Sequence, residues 1–237
     1  MIELADGRRA VVKGGPAPSV EAAMLEAMAA TGAPAPAVLG VDAATLVLEC
    51  LSAGRPSGRA WGDLGGALRK LHAATGARFG WDADYAFGPV VIANACCDDW
   101  PEFWSERRIA NQLDYLPRDL RERLCALARD LPNRLPARPS PSLLHGDLWG
   151  GNILFADGRV SGLIDPACYY GDREVDFAML HLFNRPADAI HAEYGALDAG
   201  HRERRPIYQL WPAIVHLRLF GGAYRPMVEG LLARLGC

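Results

Sequence analysis

The chain has 237 residues, of which half are hydrophobic and 22% are charged, proportions that are typical of a globular protein. A formal net charge of −3 gives no electrostatic basis for binding nucleic acid or an anionic membrane. No apolar stretch approaches the roughly 20 residues of a membrane-spanning helix. Because Glu3 and Asp6 follow Met1 without a long apolar core, we do not expect the first residues to act as a signal peptide. The six cysteines show no CxxC pair or zinc-ligand spacing, so we expect a reduced, cytoplasmic protein. The oligomeric state is not indicated.

The first fifty residues predict a small antiparallel sheet with one helix. Ser19 is a candidate N-cap for a helix from about residue 20 to residue 30, and Gly32 is a candidate for its end. An Asp-Gly turn joins the first two predicted strands, which suggests a hairpin. The predicted strands are Ile2–Leu4, Arg9–Lys13, Val38–Val41 and Thr45–Leu51.

The remainder of the chain reads as mostly helical. Apolar residues at helical spacing occur in three segments before residue 130, and helices are predicted over 175–183 and from about 207. A second Asp-Gly hairpin is predicted to join 153–155 to 160–164. Strands followed by helices indicate an α+β protein of two lobes. The predicted division is an incomplete N-terminal nucleotide-binding lobe over 1–51, a hinge or linker over 52–59, and a catalytic and substrate lobe over 60–237.

Three polar residues flank the second predicted hairpin. Asp147 and Asn152 precede it, and Asp165 follows it. Because paired strands lie about 4.8 Å apart, folding the hairpin brings Asn152 and Asp165 together, with Asp147 on the preceding loop. Oxygen donors of this kind suit Mg²⁺, and a carboxylate on the loop can accept a proton from a substrate hydroxyl. The spacing predicts a magnesium site at Asn152 and Asp165, with Asp147 as the base.

The spacing His-x-Asp-Leu-x-x-x-Asn, met by residues 145–152, is that of a kinase catalytic loop. The alternative is an ordinary polar turn, since Asp, Asn and Gly all favour turns. A carboxylate at Asp165, after the hairpin, favours the kinase interpretation, because a kinase also holds its metal with an aspartate from that position.

A kinase also needs a nucleotide site, and the N-terminal segment supplies candidates. Lys13 ends a predicted strand, as expected of a lysine that binds the nucleotide phosphates, and Glu21 in the following helix can pair with it. The alternative is a solvated lysine and a carboxylate that merely stabilises a helix N-terminus. Glu49, Cys50 and Leu51 lie where an inter-lobe hinge is expected, so their backbone groups are candidates for binding adenine.

Several motifs together resemble the fructosamine kinase (ketosamine-3-kinase) family. Gly146 stands where protein kinases have Arg, as in the small-molecule kinases that act on aminoglycosides and choline. The resemblance extends from about residue 9 to the C-terminus, and its most specific part is 145–179. The matching segments are HGDLWGGN (145–152), IDPACYYGDREVDFAM (164–179), FGWD (79–82) and DWPEFWSERR (99–108). Position 172 is Asp, where many relatives have His.

The resemblance implies an ATP- and Mg²⁺-dependent phosphorylation of the 3-hydroxyl of fructosamine or ribulosamine adducts, carried on small molecules or on protein. The phosphorylated product releases the free amine, so the implied role is deglycation repair. Two alternatives remain open. One is a kinase for another hydroxylated amine, aminoglycoside-like or choline-like. The other is a weakened or inactive protein that only binds a ketosamine or a nucleotide.

The resemblance also implies roles for residues around the base. Trp149 is the candidate substrate contact, with lobe packing as the alternative; His145 is a candidate loop brace. Asp176 would hold the loop through its backbone amides, with a plain helix cap as the alternative. We expect Arg173 and Glu174 to form an ion pair that only shapes the loop. Residues 201–205 are expected to form the solvated start of a helix.

The N-terminal end departs from the expected kinase pattern. A strand, a glycine-rich loop and a second strand need more than about 20 residues before the lysine strand, and only 12 residues precede Lys13. We therefore expect either a start codon assigned too late or a truncated, weakened enzyme.

Overall fold

A computed structural model describes all 237 residues, which form ten strands and eight α-helices. The strands are β1 (Ile2–Glu3), β2 (Arg9–Gly14), β3 (Val38–Val41), β4 (Thr45–Glu49), β5 (Tyr85–Phe87), β6 (Val90–Ile92), β7 (Ser142–Leu144), β8 (Ile153–Ala156), β9 (Arg159–Leu163) and β10 (Tyr169–Gly171). The helices are α1 (Pro18–Ala30), α2 (Gly58–Ala73), α3 (Trp100–Phe103), α4 (Arg118–Arg134), α5 (Glu174–Phe183), α6 (Ala189–Tyr194), α7 (His201–Phe220) and α8 (Arg225–Arg234).

The N-terminal strands form one antiparallel sheet in the order β1-β2-β4-β3, and β5–β6, β7–β10 and β8–β9 are separate two-stranded sheets. A small sheet followed by a mostly helical part is the α+β architecture that the sequence predicted. None of the helices is both long and apolar enough to cross a membrane.

Helix α1 is where the sheet meets the helical part. Leu25 packs in a small cluster with Leu46 and Leu48 of β4. Met24 and Met28 instead belong to a large buried cluster that includes residues of α2, β8 and α5. Helix α1 thus packs against both the N-terminal sheet and the helical part. The division of the chain into lobes at residues 51 and 59 remains a prediction.

The start of α1 differs from the prediction. Ala17 is the N-cap and Pro18 occupies the first turn, so the prediction of Ser19 as the cap was wrong. Proline is well suited to the first helical position because its φ is preset and its missing N–H would have had no partner there. The predicted end is confirmed by a Gly32 φ of 78° immediately beyond the C-cap Thr31.

The hairpin β8–β9 sets the position of the polar residues at its ends. Asp157 and Gly158 form its turn with φ of 51° and 74°. The strands pair antiparallel with Ile153 opposite Leu163. The amide of Ile164 then donates to the carbonyl of Asn152 at 3.0 Å, so the ends of the hairpin are bonded at the point where Asp165 follows.

Candidate active site

The loop between β7 and β8 has a backbone conformation at residue 146 that requires glycine. Gly146 has a φ of 80°, in the left-handed region that disfavours residues with a side chain. A Cβ at Gly146 would also lie 2.0 Å from the carbonyl oxygen of Ala167. The amide of Ala167 in turn donates to the carbonyl of His145 at 2.9 Å. The loop is therefore packed directly on the segment that follows Asp165.

The Asp176 carboxylate, at the start of α5, binds the backbone of this loop. It accepts hydrogen bonds from the amides of His145 at 2.8 Å and Gly146 at 2.9 Å, and His72 Nε2 lies 3.0 Å from its Oδ2. Burial raises the pKa of Asp176, but the hydrogen bond from His72 and the interactions with His145, including its backbone amide, outweigh burial and leave the pKa lowered. A fully buried carboxylate is thus kept ionised by its donors.

The imidazole of His145 ties the loop to the hairpin. Its Nε2 lies 3.0 Å from the carbonyl oxygen of Ile164, and the amide of Asp147 donates to its Nδ1 at 3.3 Å. A carbonyl only accepts, so Nε2 carries the proton and Nδ1 is the acceptor. Burial lowers the pKa of His145, which keeps the ring neutral. These contacts support a bracing role.

Asp147 lies in the loop that His145 and Asp176 hold in place, and one of its carboxylate oxygens is already hydrogen-bonded. Asn152 Nδ2 donates to Asp147 Oδ2 at 3.0 Å and to the Asp147 carbonyl at 2.9 Å. Burial raises the pKa of Asp147 to about 7, the Asn152 hydrogen bond opposes this, and the charges of Asp165 and Asp176 add to the rise. A general base is most effective with a pKa near the working pH, and Asp147 has such a pKa.

The two predicted magnesium ligands lie at the bonded ends of the hairpin. Asn152 uses its Nδ2 for Asp147, which leaves Oδ1 without a hydrogen bond. Asp165 is 51% exposed and adopts a φ of 53°, an uncommon conformation for a residue with a side chain. The cation against Asp165 is the Lys13 ammonium, at 2.6 Å. Asn152 and Asp165 therefore offer oxygen donors of the kind that Mg²⁺ prefers. The Asp165 carboxylate already pairs with one cation, the Lys13 ammonium.

No group of three or more His, Cys, Asp or Glu side chains forms a metal-binding arrangement in the structure. A complete protein cage is thus absent. Mg²⁺ is commonly held by one or two carboxylates together with substrate phosphates, and the oxygen donors of Asn152 and Asp165 are compatible with that kind of site.

Lys13 lies between the carboxylates of Glu21 and Asp165. Its Nζ donates to Glu21 Oε1 at 2.7 Å and to Asp165 Oδ1 at 2.6 Å. Desolvation lowers the pKa of Lys13, but the hydrogen bonds to the two carboxylates outweigh it and raise the pKa. The Tyr85 hydroxyl also donates to Glu21, at 3.0 Å. Lys13 is therefore a fixed cation beside Asp165, and the alternative of a solvated strand end does not describe it.

The predicted hinge has free backbone groups at two of its three residues. The amide of Glu49 already donates to the carbonyl of Ala37 at 2.9 Å, whereas neither Cys50 nor Leu51 makes a backbone hydrogen bond within the chain. Unpaired amide and carbonyl groups are what an adenine ring requires. Cys50 and Leu51 meet that requirement, and the amide of Glu49 does not.

Trp149 borders a cavity of about 220 Å³ beside Asp147. Its side chain is 41% exposed, which argues against the alternative of an aromatic that packs between lobes. A Cβ on Gly151 would lie 2.3 Å from the indole, and one on Gly150 would lie 2.4 Å from the Asn184 amide. Gly151 thus makes room for the Trp149 ring, and Gly150 makes room for Asn184. The cavity is lined by Phe87, Gly146, Asp147, Trp149, Val175, Met179, Tyr208, Trp211, Pro212, Val215, His216, Leu219 and Phe220.

Sequence reasoning missed three supports that come from other elements of the fold. His72 reaches Asp176 from α2, Tyr85 reaches Glu21, and Asn184 Oδ1 accepts from the Gly150 amide at 2.8 Å. A polar His72 within the apolar spacing of α2 was the one available signal. Asn184 and Tyr85 carried none.

One predicted ion pair was wrong. Glu174 is paired with Arg204, whose Nε lies 2.9 Å from Glu174 Oε2, and Arg173 is paired with Asp198 at 2.9 Å. Successive residues at a helix start point in different directions, so Arg173 and Glu174 bind different partners. Helix α7 begins at His201, within the predicted helix start, and Arg202 and Glu203 are exposed there. The Arg204 side chain, which is 16% exposed, is the exception, because it turns inward to Glu174.

Comparisons with known proteins agree on one family. Residues 17–236 match the sequence profile described as fructosamine kinase. A Synechocystis protein named a probable ketoamine kinase is 35% identical over 236 residues, covering 90% of this chain and 76% of that protein.

Two solved structures place the fold. The crystal structure of a Thermobifida fusca protein assigned as a fructosamine-3-kinase superposes with a TM-score of 0.91 at 33% identity, over 98% of this chain and 87% of that one. A choline/ethanolamine kinase family protein from Mesorhizobium loti gives a TM-score of 0.64 at 19% identity, over 97% of this chain and 82% of that one. The second likeness concerns the fold alone, which is the kinase-like fold expected from the sequence.

Proposed function

This chain belongs to the fructosamine kinase family, and we propose that it transfers the γ-phosphoryl group of ATP to the 3-hydroxyl of ketosamines, fructosamine or ribulosamine adducts of amines. The observation that carries the proposal is the position of Asp147. Its carboxylate borders an aromatic cavity, has a pKa of about 7, and is held by a braced loop. A base of this kind suits a neutral hydroxyl as the nucleophile.

In the proposed reaction, Asp147 orients the sugar hydroxyl and takes its proton. The hydroxyl oxygen attacks the γ-phosphorus, the bond from γ-phosphorus to the bridging oxygen breaks, and ADP leaves with that electron pair. Because Asn152 occupies Oδ2, Oδ1 is the oxygen available to the substrate. The Asn152 contact also fixes the carboxylate plane, which lowers the entropic cost of alignment.

The nucleotide would lie between the hinge and the hairpin. The backbone groups of Cys50 and Leu51 would bind adenine, and Lys13, held by Glu21, would bind the phosphates. Asn152 Oδ1 and Asp165 would hold Mg²⁺, which when bound neutralises negative charge on the phosphates. Lys13 would then move from Asp165 to the nucleotide.

The cavity around Trp149 is the proposed sugar-amine site. An indole face packs on the C–H face of a sugar and attracts a secondary ammonium group. Asp147 is the only carboxylate that lines the cavity, so aromatic rings would provide most of the contact with the amine. The 3-phosphorylated adduct would then release the free amine, which makes deglycation repair the proposed role.

The decisive test is incubation with ATP, Mg²⁺ and fructosyl-lysine, with ADP release and ³¹P NMR of the sugar phosphate as readouts. We expect ADP and a ketosamine 3-phosphate in equal amounts, with neither product when fructosyl-lysine is replaced by lysine. Phosphorylation of an aminoglycoside or choline but of no ketosamine would support the alternative kinase. Nucleotide binding with no turnover of any of them would support a binding protein.

A further inference from the structure

Part of the wall of the cavity beside Trp149 comes from α7, a helix to which the sequence assigned no function. Trp211, Val215, His216 and Leu219 of this helix line the cavity together with Asp147. His216 is the only side chain among these four that has a strong hydrogen-bond acceptor. Its surroundings determine what it can do.

The tautomer of His216 is fixed by the preceding turn of its own helix. Nδ1 lies 2.8 Å from the carbonyl oxygen of Pro212. Because a carbonyl only accepts, Nδ1 carries the proton, and Nε2 of the neutral ring is an acceptor. Nε2 has no hydrogen-bond partner within the chain.

Three aromatic rings fix the orientation of this imidazole. Their centroids lie 4.6 Å (Phe183), 5.4 Å (Phe220) and 5.0 Å (Tyr224) from that of His216. A ring that is bonded at one nitrogen and packed on three sides loses little further entropy when a ligand binds. Nε2 is therefore a pre-oriented acceptor.

Few other polar side-chain atoms of the cavity are free to accept. The Tyr208 hydroxyl donates to Asp172 at 2.7 Å and accepts from Trp100 at 3.0 Å. The remaining lining side chains are apolar, apart from the indole N–H groups, which only donate. The free side-chain acceptors are the Asp147 carboxylate and His216 Nε2. A ligand that satisfies both must bring two separate O–H or N–H donors.

We propose that His216 Nε2 accepts a hydrogen bond from a second hydroxyl of the sugar whose 3-hydroxyl is phosphorylated, and thereby selects a polyhydroxylated chain. This rests on the proposed function, because it concerns the same substrate. His216 is a specificity-determining residue that contributes equally to binding in the ground state and the transition state. An amine with a single hydroxyl would leave Nε2 without a donor.

The test measures ketosamine affinity in His216→Phe and His216→Gln. Phenylalanine preserves the aromatic packing and removes the acceptor, and glutamine restores an acceptor oxygen. We expect His216→Phe to raise the Kd and the KM of fructosyl-lysine about 10-fold with kcat changed less than 3-fold, the pattern of lost uniform binding. His216→Gln should recover part of the loss. His201→Phe, at the opposite end of α7, is the matched control and should change neither constant.

A second arm removes the donor instead of the acceptor. Fructosyl-lysine analogues lacking the 4-, 5- or 6-hydroxyl are titrated against both proteins by tryptophan fluorescence without ATP. One analogue should bind wild type about 10-fold more weakly than the parent, yet bind His216→Phe as tightly as the parent does. Equal losses in both proteins for every analogue would overturn the inference, as would an unchanged Kd in His216→Phe.

The outcomes separate this inference from the proposed function. Turnover of fructosyl-lysine with an unchanged KM in His216→Phe would overturn the role of His216 and leave the kinase proposal standing. Binding without turnover would still test His216 through the Kd series. If wild type neither binds nor phosphorylates any ketosamine, both proposals are wrong.

Discussion

Burial gives the Asp147 carboxylate a pKa of about 7 and also makes its ionised form costly to the folded state. In the unfolded chain its pKa is near the usual value of about 4. The folded state therefore binds more protons at Asp147 between these values, and the contribution of Asp147 to stability decreases as the pH rises from about 4 to about 7. The property that suits Asp147 to catalysis thus opposes stability at neutral pH.

Replacing the carboxylate by an amide should separate these two effects. We expect Asp147→Asn to lower kcat by about 10²–10⁴-fold, the usual contribution of a general base. It should also raise the melting temperature, more at pH 8 than at pH 5, because only the higher pH requires a buried charge. ADP release and thermal unfolding at both pH values measure this. Asp157→Asn, in the exposed hairpin turn, is the control and should change neither; an active Asp147→Asn would falsify the base assignment.

The pKa of Asp147 also predicts the pH dependence of the free enzyme. Because the ionised form is the base, kcat/KM for a ketosamine should fall about tenfold per pH unit below about pH 7. The fall should be absent near pH 8, where Asp147 is already ionised. Initial rates between pH 5 and pH 8.5 measure this. An acid limb centred near pH 4 would mean that Asp147 is not desolvated as the structure indicates.

At the scale of elements, the active site depends on how the β7–β8 loop is attached to its neighbours. The loop is bonded to α5 through Asp176 and to the hairpin exit through His145. Gly146 lies where the loop comes closest to Ala167. The hairpin turn at Gly158 also has a positive φ, but the nearest atom to a Cβ there is 3.6 Å away. Gly146 and Gly158 both adopt a positive φ, but only Gly146 lies too close to a neighbouring backbone to accept a side chain.

We expect alanine at these two glycines to have different effects. Gly146→Ala should displace the loop, lowering kcat at least 100-fold and the melting temperature by several degrees. Gly158→Ala should cost about 1 kcal/mol of stability, the usual cost of the left-handed conformation, with kcat within about 2-fold of wild type. Kinetics and thermal unfolding of both variants test this. Equal kcat values in the two variants would contradict the attachment of the loop to Ala167.

Removing the attachment to α5 should weaken the loop from the other side. Asp176→Ala leaves the amides of His145 and Gly146 and the Nε2 of His72 without their shared partner, and each unmade hydrogen bond costs about 1–3 kcal/mol. We expect a loss of several kcal/mol in chemical denaturation and a lower kcat. Asp198→Ala, which removes an exposed ion pair with Arg173, should cost less than about 1 kcal/mol. A similar loss in both variants would show that Asp176 does not support the loop.

At the scale of the whole molecule, one ion pair joins the N-terminal sheet to the catalytic hairpin. Lys13 of β2 lies 2.6 Å from Asp165, 152 positions later in the chain. In the proposed nucleotide complex this lysine contacts phosphate instead, so nucleotide binding would exchange one inter-element contact for another. The packing of α1 on both parts does not depend on that exchange.

Nucleotide binding should therefore be visible as a change in overall stability. At 100 times its Kd, a ligand that binds only the folded state adds about 2.7 kcal/mol, which corresponds to roughly 5–10 °C in a protein of this size. We expect ATP with Mg²⁺ to produce this shift and ATP with EDTA to produce a smaller one. Lys13→Met should reduce both, whereas Lys70→Met, on the exposed part of α2, should reduce neither. Equal shifts with and without Mg²⁺ would argue against the proposed metal ligands.

The sequence by itself determined the local half of the candidate active site. Asp147, Asn152 and Asp165 lie within 19 positions of one another, and the hairpin turn at Asp157 and Gly158 sets their register through neighbouring hydrogen bonds. The 145–179 motif also indicated the family that the comparisons then confirmed. Local turn chemistry and strand pairing are encoded in adjacent residues, so both could be predicted.

Only the tertiary structure decided what surrounds Asp147, Asn152 and Asp165. The pKa of Asp147 results from burial, which sums contributions from elements far apart in the chain. His72 supports the loop from α2, Asn184 supports it from the end of α5, and His216 borders the cavity from α7, where no motif marked it. Side chains that meet through packing leave no regular spacing in the sequence, so their shared role becomes visible only when the chain is folded.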